Sequence, residues 1–376
     1  MNKRQKIKKL TEKTKEIFND CFLPNGCLIA APTQMPYYPA QAKSYLYCWP
    51  GRDLGFNVTG ALYLGMDIFD QVLTWIWERA EDYQRATNPA DDWKEGLLFR
   101  SYHPNGRIRE ARFQPDQTGT LLWAIYEYSK IHKLTPLAKR VVRKSIKGLT
   151  GVWNKSQFKL FVEDPWEERI AHPRFRNNLT YSLAACSAGL EKASGTVSSK
   201  EEEAKIVAEQ MRRLIKTEAY DEEAGYFVRR FGGTVGNDKN IDASMLGLVW
   251  PFEIITPGDS RMINTIKAIE NNICDERGVY RYQFDEYEGE VESSDLHYKM
   301  GAGAWPLLTF WMSIVQNRMG NREKAEKYFW LVLDQVGNDL LIPEQFFSKS
   351  DPRVGVKPLL WSHMMFVHAA KELGYI

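Results

Sequence analysis

NLTYSLAACSAGLEKAS, residues 178–194, runs almost directly into SKEEEAKIVAEQMRRLIKTEAY, residues 199–220, and the contrast between these neighbours decides the fold class. The first is small and apolar on most of its faces, as a helix surrounded by protein would be. The second has helical spacing and a charged outer face, the mark of a helix that meets solvent on one side. The pairing recurs. TGTLLWAIYEYSKIH (118–132) is followed by PLAKRVVRKSIKGLTGVW (136–153) after a short turn, and AWPLLTFWMSIVQNRMG (304–320) by NREKAEKYFWLVLDQVG (321–337). GALYLGMDIFDQVLTWIWERAEDYQ (60–84) has apolar residues at i, i+3, i+4 spacing and no internal proline, and reads as one long helix. Further helices are expected over DSRMINTIKAIENNI (259–273), PLLWSHMMFVHAAKELG (358–374), IDASMLGLVW (241–250), and the opening segment with Ile7, Leu10, Ile17 and Phe18.

All-round apolar helices alternating with one-faced ones suit two concentric rings, the inner buried and the outer half-solvated. No fixed-period repeat is present, so a closed helical barrel is expected rather than an open solenoid. GYFVRRF (225–231) and GVYRYQF (278–284) read as short β-hairpins in the loops. No Pro/Gly/Ser-rich linker divides the chain. The expectation is an all-α protein with long loops, one domain over residues 1–376, in which 1–40 supply an opening helix and lead-in.

Composition narrows the function. With 44% hydrophobic and 26% charged residues the chain has a soluble globular profile. A net charge of +2 argues against a nucleic-acid partner found by electrostatics. No run of 18 apolar residues offers a membrane span. The basic N-terminus lacks the apolar run of a signal peptide, and five cysteines without CxxC spacing read as reduced thiols, so a cytoplasmic location is expected. There is no GxSxG, HExxH, P-loop or dinucleotide fingerprint, and the six histidines show no metal-ligand pairing; neither metal nor cofactor is expected. Twelve Trp, 18 Tyr and 18 Phe exceed what a core of this size needs, and rings beside polar groups suit sites that grip flat-faced sugars or nucleobases.

The chemistry-bearing residues collect in loops. In FVEDPWEERIAH (161–172), Pro165 opposes a helix interior and biases Asp164 to extended backbone. Neighbouring side chains then point in opposite directions, so one of Glu167 and Glu168 can enter a cavity while the other faces elsewhere. A carboxyl beside a ring such as Trp166 loses hydration, which favours the protonated acid. YLYCWPGRDLGF (45–56) sets Arg52 and Asp53 among Tyr45, Tyr47 and Trp49 just before a helix. Asp53 there is either a helix N-cap or, with Arg52, a bidentate holder of sugar hydroxyls. FQPDQTG (113–119) offers Gln114 and Asp116 with the same two readings, and LLIPEQFFSKSDPRVGVKPLLWSH (340–363) offers Glu344 after a proline. Together these meet the needs of glycoside hydrolysis, one carboxylic acid to protonate the leaving oxygen and one carboxylate to activate water or attack.

YLYCWPGRD, DPWEER, GAGAWPLLTFW, PEQ and PLLWSH, in this order, resemble glycoside hydrolase family 15, the glucoamylases and their relatives, as do FQPDQTGTLLWAIYEY and GVYRYQFDEY. The resemblance runs from about residue 40 to the C-terminus. It implies an (α/α)6 barrel and inverting, exo-acting attack on α-linked glucose from the non-reducing end. It implies Glu167 as general acid, Glu168 as its substrate-contacting neighbour and Glu344 as general base, with carboxyl groups of acid and base roughly 6.5–9.5 Å apart. Arg52 and Asp53 would hold the terminal sugar, and Tyr45, Trp49, Trp166 and Trp305 would wall its pocket. Gln114, Asp116, Arg169 and Trp361 complete the expected substrate-binding set. The family also includes trehalases, and resembles the non-catalytic phosphorylase kinase regulatory subunits. The chain departs from the family pattern in two ways: Gly51 stands between Pro50 and Arg52, and no N-terminal β-sandwich domain is expected.

Overall fold

The computed structural model describes residues 2–32, 43–197, 201–287, 303–347 and 356–376. Its α-helices are α1 (Lys3–Cys21), α2 (Arg52–Tyr63), α3 (Phe69–Trp77), α4 (Asp82–Thr87), α5 (Pro115–Ser129), α6 (Pro136–Val152), α7 (Thr180–Ser194), α8 (Glu201–Glu218), α9 (Ser260–Asn272), α10 (Pro306–Arg318), α11 (Arg322–Gln335) and α12 (Leu360–Glu372). Prolines open α5, α6 and α10, where the missing amide costs nothing and the fixed φ is already helical.

The inner ring is closed. α2 packs on α5, α5 on α7, α7 on a 3₁₀ turn over Ala243–Leu248, that turn on α10, α10 on α12, and α12 back on α2. Every residue of α7 from Thr180 to Leu190 is buried. Its outer partner α8 buries only Ala204, Val207, Ala208, Met211 and Ile215, a stripe at helical spacing. α6 and α11 likewise flank α5 and α10, and α1 flanks α12. Six inner segments with outer helices make the (α/α)6 barrel that the alternation predicts.

Two local expectations are corrected. Residues 60–84 are not one helix: α2 ends at Tyr63, Gly65 takes φ +72°, and the chain reverses into α3 and then α4. Gly65 adopts that left-handed turn at no Cβ cost, and the apolar period survives because an inner helix is apolar all round and the outer one resumes the same spacing. IDASMLGLVW forms a 3₁₀ turn rather than an α-helix, started by the Asp242 carboxylate accepting from the Ser244 amide at 2.8 Å.

The barrel axis is filled with rings. Phe56, fully buried in α2, lies 5.4 Å from Trp123, 5.8 Å from Trp250, 5.3 Å from Trp311 and 5.4 Å from Trp361, centroid to centroid. Much of the tryptophan excess therefore builds the core and not a sugar site. Strands are short. β1 (Phe99–Tyr102) and β2 (Ile108–Phe113) form a hairpin that the sequence reading missed, and β3 (Val162–Glu163) pairs with β4 (Ile170–Ala171). Parts of GYFVRRF and GVYRYQF do pair, each two-residue strand with a partner outside its own segment. All five cysteines are free and four are buried.

Candidate active site

α2, α10 and α12 each present their first turn or N-cap to one cavity of ≈ 280 Å³, so the positive ends of three helix dipoles converge on it. The cavity is lined by Tyr45, Trp49, Arg52, Asp53, Trp166, Glu167, Glu168, Trp305, Glu344 and Trp361 from the expected set. Gln114, Asp116 and Arg169 lie outside its lining.

The two adjacent glutamates sit at the tip of the β3–β4 hairpin. The Asp164 carboxylate, pushed up to about 6 by burial, accepts from the amides of Glu168 at 2.8 Å and Arg169 at 3.0 Å and so shapes the turn. Glu167 has φ +70°, a left-handed conformation that breaks strand alternation. Both glutamates line the cavity, as the family resemblance implies, although strand alternation alone would have turned one of them away. They differ in their partners. Glu167 Oε1 accepts from the Trp49 indole at 2.5 Å and lies 3.5 Å from Arg52, while Oε2 is 2.7 Å from Arg100. Glu168 Oε1 pairs with Arg281 at 2.8 Å, and Oε2 accepts from the Tyr282 hydroxyl. Burial raises the Glu168 carboxyl above its ordinary range, with Arg281 opposing. Trp166 donates its N–H to the Asp242 carboxylate at 3.0 and 3.1 Å, so the polar edge of that ring serves Asp242 and not Glu167.

Glu344, 3% exposed, accepts from the Tyr45 hydroxyl on Oε1 and from the Tyr287 hydroxyl at 3.4 Å on Oε2. Burial, then the Glu344 charge, drives the Tyr45 phenol well above its usual range, so it stays a donor. The backbone under Glu344 is pinned by its amide to Val356 O at 2.8 Å and by the Ile342 amide to His363 Nε2 at 2.9 Å. That second bond assigns the ring hydrogen to Nδ1, which faces the Thr14 hydroxyl of α1 at 2.9 Å. Burial depresses His363 to about 3, so it remains a neutral acceptor at ordinary pH. An unfolded histidine titrates near ~6.5, so this group withdraws stability only as pH falls below that value. His363→Leu orphans the Ile342 amide. The expected cost is roughly 1–3 kcal/mol in urea unfolding, together with a fall in turnover as the Glu344 segment loosens; unchanged unfolding and kinetics would contradict this anchoring.

Arg52 Nε bonds Asp53 at 3.2 Å, its Nη1 donates to the Pro165 carbonyl, and its guanidinium lies 5.5 Å from the Trp361 ring. Asp53 is not a helix cap: the N-cap of α2 is Gly51, and no side chain caps it. Burial lifts the Asp53 carboxyl to about 6 against the pull of Arg52. The extra glycine has a steric role. A Cβ on Gly51 would lie 1.7 Å from the Gln117 carbonyl, and the amides of Gly51 and Arg52 both donate to Gln117 Oε1, at 2.8 and 2.7 Å. The loop is seated on α5 there, and Arg52 and Asp53 still reach the cavity.

The three expected residues outside the lining have other surroundings. Gln114 is buried, donating to Asp164 O at 2.9 Å and accepting from Gln117 at 2.9 Å. Asp116 is fully buried in the first turn of α5, raised to about 7 by burial with Arg52 opposing. Arg169 lies 5.7 Å from the Tyr282 ring. Conversely, Arg100, Arg109, Arg281 and Tyr287 line the cavity and were not in the expected set. Arg281 is gripped by Asp285 at 2.7 and 2.6 Å and packed on Tyr287 and Trp305 at 4.6 and 5.0 Å. GVYRYQFDEY contains Arg281 and Tyr287; its alternating arginine and tyrosines were the available signal. Among the described residues no cluster of His, Cys, Asp and Glu is arranged for a metal ion, and no helix is long and apolar enough to cross a membrane.

The family described as Glycosyl hydrolases family 15 matches residues 23–371. An uncharacterized glycosyl hydrolase of Methanocaldococcus jannaschii is 27% identical over 91% of this chain and 52% of its own length. A trehalase of Mycobacterium tuberculosis is 24% identical over 93% of this chain and 52% of its own. An isomaltose glucohydrolase of Kribbella flavida is 26% identical over 70% of this chain and 65% of its own. The chain thus spans about half the length of the first two relatives. A glycosidase solved in complex with glucose shares the fold, with TM-score 0.80, 22% identity and full coverage of both chains. A match that runs through nearly all of the chain, on a closed helical barrel with paired glutamates in one cavity, settles the family: this chain belongs to glycosyl hydrolase family 15.

Proposed function

We propose that this chain is an exo-acting, inverting α-glucosidase of glucoamylase type, with Glu167 as general acid and Glu344 as general base. The observation that carries this reading is that two glutamates from separate loops line one cavity while being held by different partners, Trp49 and Arg100 for one, Tyr45 and Tyr287 for the other. In the reaction Glu167 gives its proton to the glycosidic oxygen as the C–O bond breaks. Glu344 takes a proton from the water that attacks the anomeric carbon from the opposite face. Arg52 and Asp53 hold the terminal sugar. A cavity of ≈ 280 Å³ lies just below the usual range of ligand sites, about 300–1,000 Å³, and suits one terminal glycosyl unit better than an open chain. The free, mostly buried thiols fit a reducing compartment such as the cytoplasm.

The test is incubation with maltose, isomaltose, trehalose and maltooligosaccharides, with the product anomers followed by NMR. β-Glucose released first from the α-linked oligosaccharides supports inversion; α-glucose first overturns it. Preference for trehalose, which the mycobacterial relative makes the second reading, would appear as one α- and one β-glucose per molecule cleaved. No turnover of any substrate would favour a non-catalytic role.

Asp53→Ala is expected to lower kcat/KM on all accepted substrates together, by roughly 10–150-fold, the loss of one charged hydrogen bond of about 1.5–3 kcal/mol. Unchanged kinetics in a destabilised Asp53→Ala protein would assign the residue to the fold alone.

A further inference from the structure

The guanidinium of Arg100 lies where three carboxylates meet. Strand β1 brings it to the cavity wall, its side chain 14% exposed. Nη2 is 2.7 Å from Glu167 Oε2 and 3.2 Å from Glu110 Oε2, and Nη1 is 3.3 Å from both oxygens of Glu163. The three acids come from different places: Glu110 from β2, Glu163 from β3 and Glu167 from the turn beyond it. One planar fork cannot give its best geometry to all three. Its shortest contact goes to Glu167, which must be protonated before it can act as an acid, and a guanidinium opposes protonation of the carboxyl it touches.

Glu163 has the opposite bias. It is 8% exposed, behind Arg100, and its remaining polar contact is the Gln114 amide at 3.4 Å. Burial first, then the Glu167 charge, pushes its carboxyl up to about 7, with Arg100 opposing. Burial thus favours the protonated form of the acid that Arg100 holds at 3.3 Å, while the shorter 2.7 Å contact goes to the acid that must carry a proton to act. The other charges facing Glu167 are Arg52 at 3.5 Å with Asp53 and Asp116 about it; Glu168 is engaged by Arg281, and Glu344 by two tyrosines.

We propose that Arg100 is a positioning residue shared between Glu167 and Glu163, and that its shift from Glu167 toward Glu163 when a sugar fills the cavity frees Glu167 to take up the proton it later donates. The exchange is balanced: Glu163 releases one proton to solvent as Arg100 closes on it, and Glu167 gains one. The proposal rests on Glu167 being the acid.

The test is the pH dependence of kcat, which reports the filled site, beside that of kcat/KM, which reports the free enzyme, for Arg100→Met, Arg100→Lys and Glu163→Gln. It uses the fastest-cleaved disaccharide among maltose, isomaltose and trehalose, and α-glucosyl fluoride in parallel. The alkaline limb for the disaccharide reports loss of the proton from the acid. Arg100→Met removes the opposing charge and should move that limb up by about 1 unit or more. Glu163→Gln leaves Arg100 to Glu167 with less competition and should move it down. Arg100→Lys restores the charge without the fork and should recover part of the wild-type profile. On the fluoride, whose departure needs little acid, the shifts should shrink. Limbs that stay in place while kcat falls evenly across pH, or that move the same way in both variants, overturn the proposal. Equal losses on both substrates for Glu167→Gln would instead remove the acid assignment beneath it. Thermal melts identify any variant that fails to fold, and the near-isosteric Glu163→Gln then carries the sign test by itself.

Discussion

Glu167→Gln should lose about 10²–10⁴-fold in disaccharide hydrolysis, the usual worth of a general acid, while keeping much of its activity on α-glucosyl fluoride. The glycosidic oxygen is a poor leaving group unless protonated, and fluoride is a good one. Glutamine preserves the shape and the Trp49 contact but has no proton to give. Glu344→Gln should damage both substrates, because water must be activated whichever group departs. Its amide would also have to accept from the Tyr45 and Tyr287 hydroxyls with a single carbonyl oxygen where the carboxylate offers two. Parallel rates for the wild type and the two variants on both substrates decide the matter. Equal losses for Glu167→Gln would refute the acid assignment and make Glu168, held by Arg281 and Tyr282, the next residue to replace.

Phe56→Ala should destabilise the protein by about 3–5 kcal/mol, the range for emptying a buried phenylalanine site. Phe56 touches rings from four other segments around the barrel axis, and large indoles cannot collapse into the space left behind. The effect reaches the cavity, because Trp361 stacks on Phe56 with 27° between ring planes and carries Arg52 on its other contact. Urea unfolding should show the lost stability, and kcat/KM at a permissive temperature should also fall. Phe56→Leu, which leaves a smaller void, should cost less in both. A Phe56→Ala protein as stable as wild type would contradict the view of this ring as the centre of the core.

The barrel was legible because helix pairs advertise their position: α7 and α8 differ in how many faces are apolar, which is a local property. The break between α2 and α3 was not, since it depends on one left-handed glycine inside a continuous apolar period. The glutamates, Arg52 and Asp53 stood out as charged residues beside aromatics, but it was the family resemblance that brought them to one site, and Arg52 and Asp53 fall in the first turn of α2. Arg100 was hidden in a hairpin whose charges alternate as any solvated strand's do, and its place depends on pairing β1 with β2 beside β3. Nor could strand alternation foretell that Glu167 takes a positive φ. Gln114 and Asp116 carried two readings in the sequence, helix cap or ligand, and the structure places both buried behind the cavity rather than in its lining.

The inner ring closes between α12 and α2, with α1 laid across α12. These contacts join residues some three hundred positions apart, as the Thr14–His363 bond does over 349. During synthesis, therefore, the apolar face that α2 turns toward α12 has no partner until residues 360–372 have left the ribosome. The ring cannot close before its last inner helix is made, and loop-closure entropy opposes that last step. Such a chain is exposed to aggregation and to chaperone capture for longer than a protein of equal size built from local contacts.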